Sequence, residues 1–180
     1  MPLTKILAQE ASGATAVTFS SLGTAKELLF TWIDYDPTGG SDEALTFQVT
    51  TSSYSNNAPI TSSYGRAYHN EADSTANIQA YDDGSNTQAQ GNDTDDQWIT
   101  TLVDQDQSIA SASGTLTLFS INSTAKIKTF FARSMSEAGA AAYDNHVGGY
   151  VNTTEAITAV RFKGSGGGTF TGTFTLYKVV

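Results

Sequence analysis

The sequence predicts an all-β protein, built as an antiparallel β-sandwich of about eight strands. Short apolar runs with a period of two recur along the chain, and polar turn residues separate them. The composition is rich in Thr, Ser, Gly, Phe and Tyr and poor in Lys, Glu and Leu, which favours strands over long helices. A length of 180 residues suits a single domain of this kind.

Eight apolar runs are the expected strands of this sandwich. Pro37 and Gly39 mark a turn after the second run, and Pro59 marks one after the third. Only residues 136–142 suggest a helical turn. The last two runs flank the glycine-rich stretch 164–168, and we expect them to pair as a hairpin with glycine at its tip. The eight runs are Ala16–Phe19, Glu27–Tyr35, Ala44–Thr50, Trp98–Val103, Thr115–Phe119, Lys126–Ser134, Ala156–Lys163 and Thr169–Val179.

The N-terminal residues 1–15 precede this domain, which we assign to residues 16–180. Leu3, Ile6 and Leu7 lie before the first expected strand and are candidate interface residues. Two interpretations remain open for them. The segment is either an arm that extends over a neighbouring molecule or an edge strand of the sandwich.

Residues 51–113 differ from the rest of the chain in charge. They contain nine Asp and Glu residues and one basic residue, Arg66, so they carry most of the net charge of −9. Ser, Thr, Asn and Gln are too frequent here for a core. We therefore expect long acidic loops with short strands between them, pinned to the body by tyrosines and by Trp98.

Charge and composition exclude several classes of function. No run of Lys and Arg is present, so we expect no nucleic-acid partner and no anionic membrane surface as a partner. The apolar run at 6–8 is too short for a signal peptide, and nothing approaches a membrane span. Cysteine is absent, and no spacing of the two histidines suggests a metal site. No catalytic or cofactor motif occurs, so we expect a protein that is not an enzyme.

One acidic stretch resembles a cation site. Asp93, Asp95 and Asp96 provide closely spaced carboxylates of the kind that Ca²⁺ prefers. The glycine and glutamate positions of an EF-hand loop are missing, however. A solvated acidic turn is the simpler interpretation, and a calcium site is the alternative.

Three segments carry a resemblance to a known group of proteins. They are AVTFSSLGTAKELLFTWIDYD near the start, INSTAKIKTFFARS in the middle, and AITAVRFKGSGGGTFTGTFTLYKVV at the end. Together they resemble the jelly-roll structural proteins of tailed-phage virions. The matching positions are Ala125, Lys126, Lys128, Thr129, Ile157, Val160, Phe162, Phe170, Gly172, Thr173, Leu176 and Tyr177. Lys178 departs from that pattern, where glycine commonly follows Leu-Tyr.

The resemblance implies a jelly-roll scaffold and a non-enzymatic virion protein. The acidic composition and the lack of a fibre-like repeat favour a capsid decoration or cement protein. Such a protein is expected to be a homotrimer on the outer surface of the head, with the major capsid protein lattice as its partner and no cofactor. The alternative is a receptor- or glycan-binding head of a tail fibre or knob, because exposed aromatics and aspartates suit sugar binding.

Overall fold

The computed structural model describes residues 2–81, 88–105 and 109–179. Within these residues the chain forms thirteen strands and no helix. Consequently, no helix in the described ranges could cross a membrane. The predicted all-β class is confirmed.

Nine strands form the larger of two antiparallel sheets. Its order is β1-β13-β3-β9-β10-β11-β5-β6, and β7 pairs with β5 beside this path. These strands are β1 (Leu3–Ala14), β3 (Glu27–Pro37), β5 (Ile60–Asn70), β6 (Ala76–Tyr81), β7 (Gly91–Asp93), β9 (Ala112–Phe119), β10 (Lys128–Glu137), β11 (Ala141–Val151) and β13 (Phe170–Val179).

Four strands form the smaller sheet, in the order β2-β12-β4-β8. They are β2 (Val17–Phe19), β4 (Leu45–Thr50), β8 (Gln97–Trp98) and β12 (Ala159–Gly164). All eight predicted runs overlap a strand of the structure. The run at 98–103 is the shortest match, since only β8 and an isolated bridge between Glu43 and Val103 form there.

The connections between the sheets have the nested order of a jelly roll. β1 pairs with β13 and β3 with β9 in the larger sheet, while β2 pairs with β12 and β4 with β8 in the smaller sheet. The chain therefore alternates between the two sheets over its first four strands, and it does so again over β8, β9, β12 and β13. The remaining strands are insertions that widen the larger sheet: β5, β6 and β7 lie between β4 and β8, and β10 and β11 between β9 and β12.

Aromatic side chains fill the space between the two sheets. Phe162 of β12 is fully buried, and its ring centroid lies 5.5 Å from that of Phe30 and 5.6 Å from that of Phe174. Trp32 is also buried in this cluster. Each fully buried aromatic of this kind contributes about 1.5–3 kcal/mol. The alternation of these residues along β3, β12 and β13 explains why the ends of the sequence predict strands so clearly.

The widened part of the larger sheet has a polar interior. The Tyr64 hydroxyl donates to Asn145 Oδ1 at 2.6 Å, and Asn145 Nδ2 donates to Ser134 Oγ at 3.1 Å. Ser134 Oγ in turn donates to the carbonyl of Ile99, which belongs to the segment covering this part of the sheet. Hydrogen bonds therefore hold β5, β10 and β11 against residues 88–105.

The segment 51–113 is more regular than the sequence predicts. It contains β5, an eleven-residue strand that pairs with β11 along its whole length. The expectation of long loops is therefore wrong for residues 60–70. The strand is rich in hydroxyl side chains. Arg66 and Tyr68 stand at positions that would be apolar in a strand with one apolar face, so the sequence shows no period of two here. Of the N-terminal segment, Leu3–Ala14 form an edge strand, because β1 pairs with β13 from Leu3 to Ala14.

Residues 136–142 form a tight β-turn instead of a helical turn. β10 ends at Glu137 and β11 begins at Ala141, with reciprocal backbone hydrogen bonds between Ala138 and Ala141. Gly139 and Ala140 both have positive φ, of 59° and 60°. Two consecutive residues at positive φ are typical of a type I′ hairpin turn. The predicted helical turn is therefore wrong: alanine favours a helix locally, but here the alanines belong to the turn that joins β10 to β11.

The last two strands do not form the predicted hairpin. β12 lies in the smaller sheet and β13 in the larger one, so residues 165–169 cross from one sheet to the other. The predicted strands themselves are present. Only their pairing is wrong, because glycines mark a tight backbone approach as readily as a hairpin tip.

Candidate functional surfaces on the two faces of the sandwich

The outer face of the larger sheet is broad and carries few charges at its centre. Outward positions alternate with buried ones along β10, whose exposed residues are Thr129, Phe131, Arg133 and Met135. Along β9 the outward positions between Ser113 and Phe119 are serine, threonine and phenylalanine. Arg133 is thus the only charged residue over this part of the two strands.

Three large apolar side chains project from this outer face. Phe131, Ile33 and Met135 are each about half exposed, at 51%, 53% and 50%. Phe131 packs against Phe119, with 5.8 Å between ring centroids. Ile33 and Met135 lie on either side of Ser113, since Asp34 N donates to Ser113 Oγ and Ser113 pairs with Met135. We call this surface the large-sheet face.

The charge of Arg133 is balanced within the same face. Its Nε and Nη2 donate to the two carboxylate oxygens of Asp144 on β11, at 3.0 and 2.8 Å. These hydrogen bonds, with His146 Nε2 at 3.2 Å from Asp144 Oδ1, hold the pKa of the Asp144 carboxyl below its usual range. The large-sheet face is therefore nearly neutral across its centre.

The outer face of the smaller sheet is charged. Arg161 and Lys163 project outward from β12, on the side opposite the buried Phe162. Both bind Asp96: Arg161 Nη2 lies 2.6 Å from Oδ1, and Lys163 Nζ lies 2.7 Å from Oδ2. The side chain of Asp96 is 16% exposed, so this triad is largely shielded from water. Because three charges share this close geometry, the triad contributes more than an isolated exposed ion pair.

A cleft of about 490 Å³ opens beside this triad. Trp98 and Thr46 form neighbouring positions in its lining, because they pair across β8 and β4. Lys163 of β12 also lines the cleft, and the other lining residues come from the loops on either side: Asp42, Asp95, Asp96, Leu102, Ser165 and Gly166. The volume lies within the range of typical small-molecule sites, which is about 300–1,000 Å³.

Buried glutamines hold one wall of the cleft. Gln48 Nε2 donates to the carbonyls of Ala58, Thr94 and Asp95, at 2.9, 3.3 and 3.1 Å. Gln90 Nε2 donates to the Asp95 carbonyl at 3.0 Å. Both glutamines are buried, so the acidic loop at 94–96 is fixed to the sheet through its backbone. The sequence shows that glutamine is frequent here, but a high frequency of polar residues predicts solvent exposure, so the buried network is not predicted from it.

A buried carboxylate shapes the other wall. Glu43 is 2% exposed, and its Oε1 accepts a hydrogen bond from Gly168 N at 2.8 Å. A Cβ at Gly166 or Gly168 would lie 2.9 or 2.5 Å from that same oxygen, and one at Gly164 would clash with Oε2. These glycines are therefore needed for close approach to Glu43. The sequence predicts only a hairpin tip for this loop, because its contact with the distant Glu43 is not visible in the sequence.

The predicted calcium ligands do not converge. Asp93 Oδ1 accepts hydrogen bonds from Thr94 N at 2.6 Å and from Asp95 N at 3.4 Å, so it caps its own turn. Asp96 is occupied by Arg161 and Lys163, while Asp95 points to the cleft. No group of three or more potential metal-ligating side chains occurs within the described ranges.

The three predicted interface residues fall in different environments on β1. Leu3 and Leu7 are 52% and 41% exposed, whereas Ile6 is partly buried and packs against the core. A register shift between Lys5 and Leu7 separates them. They do not form one continuous patch, although Leu3 pairs with Val179 at the rim of the larger sheet.

No protein-family model matches the chain, and no curated protein matches it.

Proposed function

We propose that this protein is a non-enzymatic structural component of a tailed-phage virion, and that it decorates and stabilises the head by docking its large-sheet face on the capsid lattice. The observation that carries the proposal is the contrast between a broad face that is nearly neutral at its centre, with half-exposed Phe131, Ile33 and Met135, and a charged opposite face. Aromatic residues and methionine are enriched in protein interfaces, and charged residues are depleted at their centres.

The size of the large-sheet face agrees with this role. Five adjacent strands, β13, β3, β9, β10 and β11, have eight to eleven residues each. Strand spacing and rise per residue make such a surface about 800 Å² in area. This is about the area that one partner contributes to a standard specific interface. Docking of this face alone would therefore suffice for stable binding, and repeated sites on a lattice would add avidity.

The jelly-roll connectivity and the resemblance of the chain ends also support a virion protein. Under the proposal the protein is a homotrimer on the outer surface of the head, and its partner is the major capsid protein. The exposed Leu3 and Leu7 of the edge strand β1 then contribute to contacts at the rim of the interface. No covalent chemistry is involved.

Co-sedimentation with expanded capsids of the parent phage tests this proposal. Added protein is expected to bind at a fixed ratio to the capsid subunits and to raise the temperature at which the capsids open. Protein that remains in the supernatant with every capsid form would contradict the proposal.

A further inference from the structure

We infer that the cleft on the smaller sheet is a binding site for neutral saccharides, formed by Trp98 with the carboxylates of Asp42, Asp95 and Asp96, the Lys163 ammonium and the Ser165 hydroxyl. The inference does not depend on docking to a capsid, because the cleft and the large-sheet face lie on opposite sides of the sandwich.

The lining of the cleft has both kinds of group that a sugar needs. A pyranose ring has apolar C–H faces that pack on an aromatic ring and hydroxyls that both donate and accept hydrogen bonds. Trp98 is partly buried and provides the aromatic surface. Carboxylates accept from hydroxyls, the Lys163 ammonium donates to them, and the Ser165 hydroxyl can do either.

The charge of the lining selects against acidic sugars. Three carboxylates and one ammonium face the cleft, and Arg161 is held by Asp96 beside it. The local charge is negative even with both cations counted. An anionic ligand such as a uronate would therefore be repelled, whereas a neutral hexose would not.

The cleft is also held in shape before any ligand binds. Gln48 and Gln90 fix the backbone at Asp95, and Glu43 fixes the glycine loop that carries Ser165. Ser165 Oγ itself accepts from Ala44 N at 3.1 Å, which orients the hydroxyl. A site that is already formed loses less conformational entropy on binding.

Four neutral probes and one acidic probe test the inference: glucose, galactose, mannose, N-acetylglucosamine and glucuronic acid. Binding is measured by tryptophan fluorescence and by saturation-transfer NMR. The chain has two tryptophans, and Trp32 is 1% exposed within the core, so a fluorescence change on binding reports Trp98. We expect at least one neutral probe to bind with saturation and glucuronic acid not to bind.

Two substitutions locate the binding. Trp98→Ala is expected to weaken it by about tenfold or more, as for loss of a central aromatic anchor, and the emission of Trp32 shows that the core remains intact. Asp95→Asn removes an exposed carboxylate without changing the backbone contacts of this residue, and is expected to weaken binding severalfold. Asp73→Asn, the same charge change at the far end of β5, is expected to have no effect.

The inference is overturned if none of the four neutral probes binds, if glucuronic acid binds as well as they do, or if binding survives both cleft substitutions unchanged.

Discussion

The two outer faces of this sandwich differ in size, charge and shape. The larger sheet presents a broad surface of threonine, serine and half-exposed apolar residues. Arg133 and Asp144 form an ion pair at its centre, and the acidic residues Glu27, Asp34 and Asp36 lie toward the two ends of β3. The smaller sheet presents a partly buried ion triad centred on Asp96 and a cleft beside it. A broad surface that is neutral at its centre suits a large protein partner, whereas a charged cleft suits a small polar ligand. Under the two proposals, the fold separates two kinds of binding on opposite sides.

A charge placed on the large-sheet face should have the largest effect. Phe131→Asp puts a carboxylate at the centre of the proposed interface, where docking would remove it from water without a partner. We expect capsid binding to weaken by at least about 30-fold, since loss of a central interface residue often costs about 2 kcal/mol or more. Binding isotherms with expanded capsids measure this.

The matched control is Ile109→Asp, because Ile109 is 81% exposed and lies outside this face. The Phe131→Asp protein should keep wild-type saccharide binding. Equal weakening of capsid binding by Phe131→Asp and Ile109→Asp would contradict docking through the large-sheet face.

The polar network behind the large-sheet face gives the next largest effect. Asn145→Ala removes the Oδ1 atom that accepts from the Tyr64 hydroxyl and the Nδ2 group that donates to Ser134, both in a buried site. We expect a loss of about 2–3 kcal/mol in the free energy of unfolding, measured with urea.

Asn152→Ala serves as the control for that loss, because the side chain of Asn152 is exposed and bonds only at the surface to Asn92. Its effect should be within about 0.5 kcal/mol. Equal losses in the two variants would show that the network does not support the widened sheet.

Two glycines, one beside the cleft and one on the larger sheet, allow a closer comparison. Gly168→Ala places a Cβ 2.5 Å from Glu43 Oε1, whereas a Cβ at Gly148 of the larger sheet meets nothing within 4 Å. Overpacking at Gly168 should cost about 1–3 kcal/mol. The alanine at Gly148 should be nearly neutral. Thermal unfolding of both variants measures the difference, and a Gly168→Ala protein as stable as wild type would rule out the glycine cradle.

The smallest expected effect concerns the pH dependence at one end of the smaller sheet. Glu155 accepts hydrogen bonds from Ser53 and from the Thr51 hydroxyl, which lower its pKa from 4.5 to about 2. A carboxyl with a depressed pKa in the folded state stabilises the protein above its unfolded pKa. The wild-type advantage over Glu155→Gln should therefore be full above pH 4.5 and should disappear as the pH falls to about 2.

Urea unfolding over that pH range checks the expectation. Removing one donor with Ser53→Ala should reduce the pH dependence. A difference between wild type and Glu155→Gln that stays constant with pH would contradict the assigned hydrogen bonds.

The interior of the sandwich is apolar in one part and polar in another, and this difference explains which strands the sequence predicts. Strands β3, β12 and β13 alternate between core aromatics and polar residues, so their existence and boundaries follow from a period of two. β5 and β11 were not predicted, because their inward residues Tyr64 and Asn145 belong to a polar network that has no apolar period. Hydrogen bonding replaces hydrophobic contact there, and a pattern of hydropathy does not detect it.

The candidate surfaces were predictable only in part. Asp95, Asp96 and Trp98 attract attention in the sequence, but their association with Lys163 depends on the pairing of β4 with β8 and β12. The role of the glycines at 164–168 depends on Glu43, more than 120 residues earlier in the chain. Such contacts between distant segments are set by the sheet topology, which the local sequence does not specify.

The orientation of the protein on the virion tests the central claim most directly. Cryo-electron microscopy of the intact particle, at a resolution that separates the two sheets, would locate each face. The account predicts that Phe131, Ile33 and Met135 lie against the capsid lattice and that the Trp98 cleft opens to solvent. A map with the smaller sheet against the lattice and the large-sheet face exposed would contradict it.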